Sequence, residues 1–418
     1  PVDATNIKFW KEKDICDLTE FNIIDRVTTK KSDWDDLLNK STKPTLLVIN
    51  RAYLTLQNKY KSIDSLSLVL HDECHNVASN KCFEFLKFCK TKLIKIVGFS
   101  ATPLRSGKTK SGDTMVANKL RLLEIYGLPN NADQLNMLTN YNMIYAISSN
   151  LILPPRFHWY EFEIENKTKD KKLEEEILTK AEIGSVMEVL NDIVALMPNK
   201  KIIAWCGTIY KCDQWYKKFN DQKEYYKGLR NMIPHKDHSV KSEVKGYKDF
   251  KDLESHGIMF CAQKHREGSD ISKLDGCIFL DKVKNRGSIP FIQSIGRVLR
   301  KESQANSTKN CGFIIDGIAK DYEEYEKNVV DKILGYYFAL NDISNLEDIS
   351  STSSYDKYIK LLDLVNFDPD KKLIKLNLPN ANIEINCKRL DWKNIISKFD
   401  DIIEQKIKLD PEDQLRIE

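Results

Sequence analysis

An apolar run, Leu66-Ser-Leu-Val-Leu70, leads straight into His71-Asp72-Glu73-Cys74-His75. At the carboxyl end of a parallel strand an Asp faces the crevice where open α/β sheets bind ligands. Such a carboxylate can hold Mg²⁺ through water beside nucleotide phosphates, and a neighbouring Glu can orient or deprotonate an attacking water. Asp72 is therefore a candidate metal ligand and Glu73 a candidate base. The plain alternative is a solvated acidic turn. Two zinc readings fail on pattern. A zinc protease needs His-Glu-x-x-His on a helix, whereas the order here is His-x-Glu-x-His after a strand. A zinc deaminase needs a Pro-Cys-x-x-Cys partner, which the chain lacks.

Three further segments carry chemistry at expected strand ends. Gly98-Phe-Ser-Ala-Thr102 closes another apolar run and offers the hydroxyls of Ser100 and Thr102; taken alone it is an ordinary loop entry, since Ser and Thr favour turns. Arg266-Glu-Gly-Ser-Asp270 follows the run Ile258–Ala262, with Gly268 permitting tight backbone and Asp270 adding a carboxylate; alone it is a plain turn. Gln293-Ser-Ile-Gly-Arg-Val-Leu-Arg300 puts Gln293, Gly296, Arg297 and Arg300 on one face of a helix. Two Arg there can clamp phosphate oxygens with planar forks. A basic surface helix is the competing reading. It is weakened because the chain has 53 Lys against 12 Arg and yet uses Arg twice in this segment.

The elements that must position these groups alternate. Runs at 46–50, 66–70 and 93–99 read as strands, with a helical pattern at 80–90 between the last two. A helix is expected over 172–197, then strands at 201–206, 258–262, 277–281 and 312–316. Alternation of this kind points to parallel sheets covered on both faces. Pro154-Pro155 breaks the chain between the two series. After about residue 320 the texture changes: a helix over 321–340, a polar stretch at 341–354, a hairpin over 372–387 turning near Pro379-Asn380, and an amphipathic helix over 392–407.

The 418 residues, 41% hydrophobic and 30% charged, suit two or three packed domains and not wholesale disorder. There is no apolar run long enough to span a membrane and no signal-peptide pattern at the start. A net charge of +4 does not by itself identify a nucleic-acid binder. The ten Cys form no Cys-x-x-Cys pair, and several lie in apolar runs, which suits an intracellular, reducing compartment. The Lys, Asn and Ile bias fits the AT-rich genome of a virus or microbe.

Taken in order, these segments resemble a superfamily 2 helicase or translocase of the DEAD/DEAH-box-like type. Asp72-Glu73-Cys74-His75 resembles motif II, Ser100-Ala101-Thr102 motif III, and Lys201–Thr208 the motif IV strand. Arg266–Asp270 resembles motif V, Gln293–Arg300 motif VI, and Val48–Leu54 an earlier segment that contacts nucleic acid. The resemblance runs from about residue 45 to about 317. It implies two RecA-like parallel-sheet lobes, with ATP between them and a nucleic-acid strand crossing both. The first lobe, incomplete, would cover 1–153, the second 154–320, and a small mixed α/β region 321–418.

The resemblance also implies the roles. Asp72 would hold Mg²⁺ and Glu73 would activate water. His75, Ser100, Ala101 and Thr102 would couple the ATP site to the nucleic acid. Gln293, Arg297 and Arg300 would act on the γ-phosphate, with Gly268, Asp270 and Gly296 at the nucleotide. Asn50, Arg51, Thr208 and Arg266 would contact the strand, DNA by the wording of motifs V and VI, with RNA the other option.

One departure is large. The family's Walker A loop, Gly-x-x-x-x-Gly-Lys-Ser/Thr, cradles the phosphates. Gly107-Lys108-Thr109 has the wrong spacing from Gly98 and lies after motif III, and residues 1–44 contain no Gly. With Pro1 at its start, the chain reads as a cut or processed product, its ATP-binding unit expected upstream or on another chain. The alternative is a non-catalytic nucleic-acid-binding remnant that has lost ATP turnover. His71, where the family has an apolar residue, is a lesser departure.

Overall fold

The computed structural model of the protein describes residues 18–25, 42–49, 66–100, 114–139, 141–163, 178–239, 246–265, 269, 271–283, 288–302, 307–320, 324–341 and 361–409. The chain forms two compact units, Pro1–Leu138 and Thr139–Glu418.

In the first unit, β1 (Asn22–Asp25) pairs in parallel with β2 (Thr45–Val48). Strands β3 (Leu68–Asp72) and β4 (Lys95–Phe99) form a second parallel pair, in register from Leu68 opposite Lys95 to Asp72 opposite Phe99. Between them runs α1 (Asn80–Thr91), which buries Cys82, Phe85, Leu86 and Cys89. Their spacing of three, four and seven residues defines one helical face. This β–α–β unit brings the carboxyl ends of β3 and β4 side by side. Helix α2 (Thr114–Tyr126) runs into a small antiparallel pair, β5 (Gly127–Leu128) with β6 (Asn131–Leu135).

The second unit opens with α3 (Met143–Ser148), whose N-cap Asn142 accepts a hydrogen bond from Tyr145 N. It is built on one sheet. Its strands are β7 (Pro155–Glu163), β8 (Lys201–Trp205), β9 (Ile233–Asp237), β10 (Gly257–Cys261), β11 (Gly276–Phe279), β12 (Gly312–Lys320), β13 (Val365–Asp368), β14 (Leu373–Leu378) and β15 (Ala381–Asn386). Their order is β13-β14-β15-β7-β12-β11-β8-β10-β9. From β15 to β9 every neighbouring pair is parallel; β14 is antiparallel to β15, and β13 to β14.

All residues of β8, β10 and β11 are buried, as strands covered on both faces must be. Alternate side chains feed two cores. Ile203, Trp205, Met259 and Phe279 pack with α7 (Ser288–Val298), α8 (Tyr325–Asn341) and α9 (Trp392–Leu409). Ile202, Ala204, Ile258 and Phe260 pack with α4 (Lys180–Val194) and α5 (Ile209–Gln222). A short helix, α6 (Gly246–Asp252), precedes β10, and the carbonyls of Lys251 in its last turn and of Leu253 just past it accept from the buried Lys201 ammonium.

Two expectations are refined. The Pro154-Pro155 break opens β7 inside the second unit, and the division between units falls after Leu138. The hairpin turning at Pro379-Asn380 forms as read, but it continues the sheet of the second unit, with Glu384 opposite Arg156 and their side chains paired at 2.9 Å. The polar stretch 342–354 and Gly107-Lys108-Thr109 lie outside the described residues.

Candidate functional site

The chemistry in the first unit sits where β3 and β4 end. Asp72 is the last residue of β3 and is exposed. Its Oδ1 accepts from Glu73 N at 3.0 Å, and Glu73 turns the chain sharply with φ 53°. Both carboxylates are thus presented at the strand end. His75 is buried in the short turn that follows. Its Nδ1 is hydrogen-bonded to Ser100 Oγ at 2.9 Å and lies 3.2 Å from Glu73 Oε2. The residues matching motifs II and III are therefore in hydrogen-bond contact within one unit.

The packing beneath makes that contact possible. A Cβ on Gly98 would meet Cys74 Cβ at 2.8 Å and Tyr126 Cε1 at 2.9 Å, so β4 can approach the motif II turn only with glycine there. Burial, then the charge of Glu73, pushes the Cys74 thiol up to about 11, which keeps it a neutral packing group. His71, the unusual residue of this motif, is also explained. Its Nδ1 is 2.7 Å from Tyr126 Oη, and its Nε2 is 3.6 Å from Cys82 Sγ. His71 and His75 thus serve different partners, and among the described residues no cluster of His, Cys, Asp and Glu could hold a metal ion by itself.

The second unit collects its groups at the carboxyl ends of its strands. Gly207 follows β8 with φ 82°, where a Cβ would meet Asp281 at 3.0 Å. Thr208 caps α5, its Oγ1 accepting from Lys211 N at 3.2 Å. Arg297 lies in the last turn of α7 and donates from Nη1 to the Ser269 carbonyl. Gln293 is half-buried one turn earlier, and among the described residues outside the helix backbone nothing lies within 4 Å of where a Cβ on Gly296 would project.

The helix ends at Val298, so Arg300 does not continue the helical face expected of it; it is exposed beyond the terminus. The reason is Lys309. Its buried ammonium donates to the carbonyls of Val298 (2.7 Å), Arg300 (3.1 Å) and Leu274 (2.7 Å), taking over carbonyls at the helix end.

Sequence reasoning missed one assembly here. Asp237, at the end of β9 and 1% exposed, accepts from His265 Nε2 at 2.6 Å and from Lys264 Nζ at 2.9 Å. Ser269 Oγ lies 2.6 Å from His265 Nδ1. The signal was in the sequence as His-Lys-Asp-His after an Ile-Pro, but that strand is too polar to read as one. Asn50, Arg51, Ala101, Thr102, Arg266, Gly268 and Asp270 lie outside the described residues.

Residues 185–302 match the family model described as helicase conserved C-terminal domain. The matched segment runs from within α4 to just past α7 and includes Thr208, Gln293, Arg297 and Arg300. Among solved structures, the ATP-dependent Type ISP restriction-modification enzyme LlaBIII bound to DNA superposes with a TM-score of 0.52 at 15% identity, over 90% of this chain and 26% of that one. Dbp5 of S. cerevisiae bound to RNA and ADP BeF3 gives 0.46 at 14% identity, over 82% and 73%. The helicase Lhr of Mycobacterium smegmatis bound to ssDNA and AMP-PNP gives 0.46 at 10%, over 81% and 39%. No curated protein sequence matches the chain. The chain spans about a quarter of LlaBIII. Over residues 185–302 the family model bears out the resemblance to helicases read from the motifs, and the mixed α/β fold with its mostly parallel sheet agrees with it.

Proposed function

We propose that this chain is the motor core of an ATP-dependent helicase or translocase acting on nucleic acid, DNA in preference to RNA. The observation that carries the reading is the match of residues 185–302 to a helicase C-terminal domain, a segment that includes Arg297 in the last turn of α7. ATP with Mg²⁺ would supply the cleavable phosphoanhydride and a cation to neutralise its charge. Asp72, an exposed carboxylate at a strand end, suits a hard cation held through water. Glu73 orients and deprotonates the attacking water. His75 and Ser100, already hydrogen-bonded, transmit the state of that site to the motif III segment and on to the strand. Gln293, Arg297 and Arg300 stabilise negative charge on the transferring phosphoryl group, Arg with a planar fork that Lys lacks. Asn50, Arg51, Thr208 and Arg266 are assigned to the nucleic-acid backbone.

The 418 residues contain no Gly-x-x-x-x-Gly-Lys-Ser/Thr. That favours a second reading, a strand-binding remnant without turnover, unless a phosphate loop comes from further sequence or a partner. Fluorescence anisotropy with single-stranded DNA and RNA, together with an ATPase assay, tests the proposal on this chain. We expect binding that weakens steeply with salt, as phosphate contacts require, tighter for DNA, and no ATP turnover. Absence of binding to either strand at low salt would overturn the motor reading. Nucleic-acid-stimulated ATPase from these residues alone would overturn the requirement for an added phosphate loop.

A further inference from the structure

We propose that Asp237, His265 and Ser269 form a hydrogen-bond relay that positions Arg297. The proposal rests on the reading of Arg297 as a phosphate-stabilising arginine and deepens it, by naming three residues that aim the guanidinium without touching the phosphate.

Ser269 is the junction. Its carbonyl accepts from Arg297 Nη1, and its hydroxyl lies 2.6 Å from His265 Nδ1. On the other side of the ring, Nε2 lies 2.6 Å from Asp237 Oδ2. An ionised carboxylate only accepts, so the ring proton belongs on Nε2. Nδ1 must then accept, and the Ser269 hydroxyl donates to it. The direction of every bond is fixed: Ser269 to His265, His265 to Asp237. Asp237 is buried at the carboxyl end of β9, so the relay ties Ser269 to the end of the edge strand of the sheet.

Two further observations show that the His265 ring is held on purpose of geometry and not by chance contact. Tyr247 on α6 stacks on it face to face, with centroids 4.2 Å apart and planes 10° apart. Its backbone has φ 67°, in the left-handed region that favours glycine. It is the side chain of this left-handed residue that makes both bonds. The groups facing the ring are Asp237 from β9, Tyr247 from α6, Arg297 from α7, and Lys264 and Ser269 from its own loop. Burial holds the imidazole below its usual range despite Asp237. The ring is then neutral at neutral pH and adds no positive charge beside Lys264 and Arg297.

The Arg297 N–H donated to the Ser269 carbonyl restrains the guanidinium at Nη1. Loosening Ser269 should free the guanidinium to rotate. The relay residues are positioning residues, since none of them needs to meet the nucleotide.

The test is NMR on the 418-residue chain with ¹⁵N-labelled His and Arg side chains. In the wild type, His265 should show the Nε2–H tautomer and a titration midpoint below 6.5, and Arg297 should show slowed guanidinium rotation. Ser269→Ala removes only the hydroxyl and leaves the carbonyl. It should speed that rotation roughly fivefold, the change one net hydrogen bond brings, with the other Arg signals unmoved. Asp237→Asn should shift the tautomer toward Nδ1–H and lower the midpoint further; should it fail to fold, Ser269→Ala carries the test. Equal tautomers in the wild type, or an Arg297 signal indifferent to Ser269→Ala, would overturn the relay. Binding of a single-stranded oligonucleotide by the same samples separates the two levels. A relay without any strand binding keeps this inference and discards the motor reading, whereas strand binding with an indifferent Arg297 does the reverse.

Discussion

His158 should make the second unit sensitive to mild acid by an amount that can be worked out. The residue lies within β7, opposite Ile315 of β12, with its ring tilted against Phe313 at 5.9 Å. It lines a groove of about 370 Å³ with Leu196, Asn386 and Lys388. Burial, then the charges of Arg156 and Lys388 against the weaker opposing pull of Asp192, lowers its pKa from 6.5 to about 4. Between those values the unfolded chain binds a proton that the folded chain refuses. Stability is therefore unaffected above about pH 6.5 and falls as pH drops from there towards 4.

For midpoints of 6.5 and about 4, the loss between pH 7 and pH 5 is about 2 kcal/mol. That is a large part of a typical stability of roughly 5–15 kcal/mol. Urea unfolding at pH 7, 6 and 5 measures it, with His158→Phe as the control, because Phe keeps a ring against Phe313 and cannot titrate. Other groups titrate equally in both proteins, so the wild type should lose about 2 kcal/mol more than the variant. Parallel curves would show that the folded chain accepts the proton and that the ring is not desolvated as described.

Gly98→Ala should cost about 1–3 kcal/mol, as overpacking does, and should shift the His75 imidazole resonances, because the added Cβ would meet Cys74 at 2.8 Å and Cys74 adjoins His75. A loss within about 0.5 kcal/mol and an unmoved His75 would refute the close approach of β4 to the motif II turn. Lys309→Met should cost on the order of 3 kcal/mol, three carbonyls losing a charge-assisted donor less the relief of a buried ammonium; urea melts showing under about 1 kcal/mol would mean that those carbonyls find other donors.

The elements that could be read from the sequence are those whose burial is simple. Strands β8, β10, β11 and the first half of β12 appear as apolar runs because both faces are covered. Helix α1 and the β14–β15 hairpin follow from one-sided burial and a Pro-Asn turn. Strand β9 escaped because it is the edge of the sheet, where Pro234, His235 and Lys236 are tolerated. Strand β7 escaped because Arg156, His158 and Glu161 interrupt its apolar positions. The Asp72–Glu73 and Ser100 groups were legible because each is local to one strand end. The relay was not, since Asp237 and His265 are 28 residues apart and meet only when β9 and β10 lie side by side. Arg300 was misplaced because helical periodicity carries no information on a terminus set by a lysine nine residues later.

The two sets of chemical groups rest on different kinds of support. Beneath Arg297 lies a sheet with both faces packed, so its position follows from apolar burial and a few directed bonds. Beneath Asp72 and Glu73 lies the β3–β4 pair, where Leu68, Leu70 and Phe99 are 47%, 57% and 53% exposed. Apolar burial there fixes less. What fixes the acidic turn is a set of specific contacts: His75 to Ser100, His71 to Tyr126, and Gly98 against Cys74. Each of these joins β3 or the turn after it to α2 or to β4 and the residue that follows it. A shift of β4 is therefore felt at His75, which is bonded to Ser100 and lies 3.2 Å from Glu73 Oε2. Such directional support is cheaper to break and remake than a packed core.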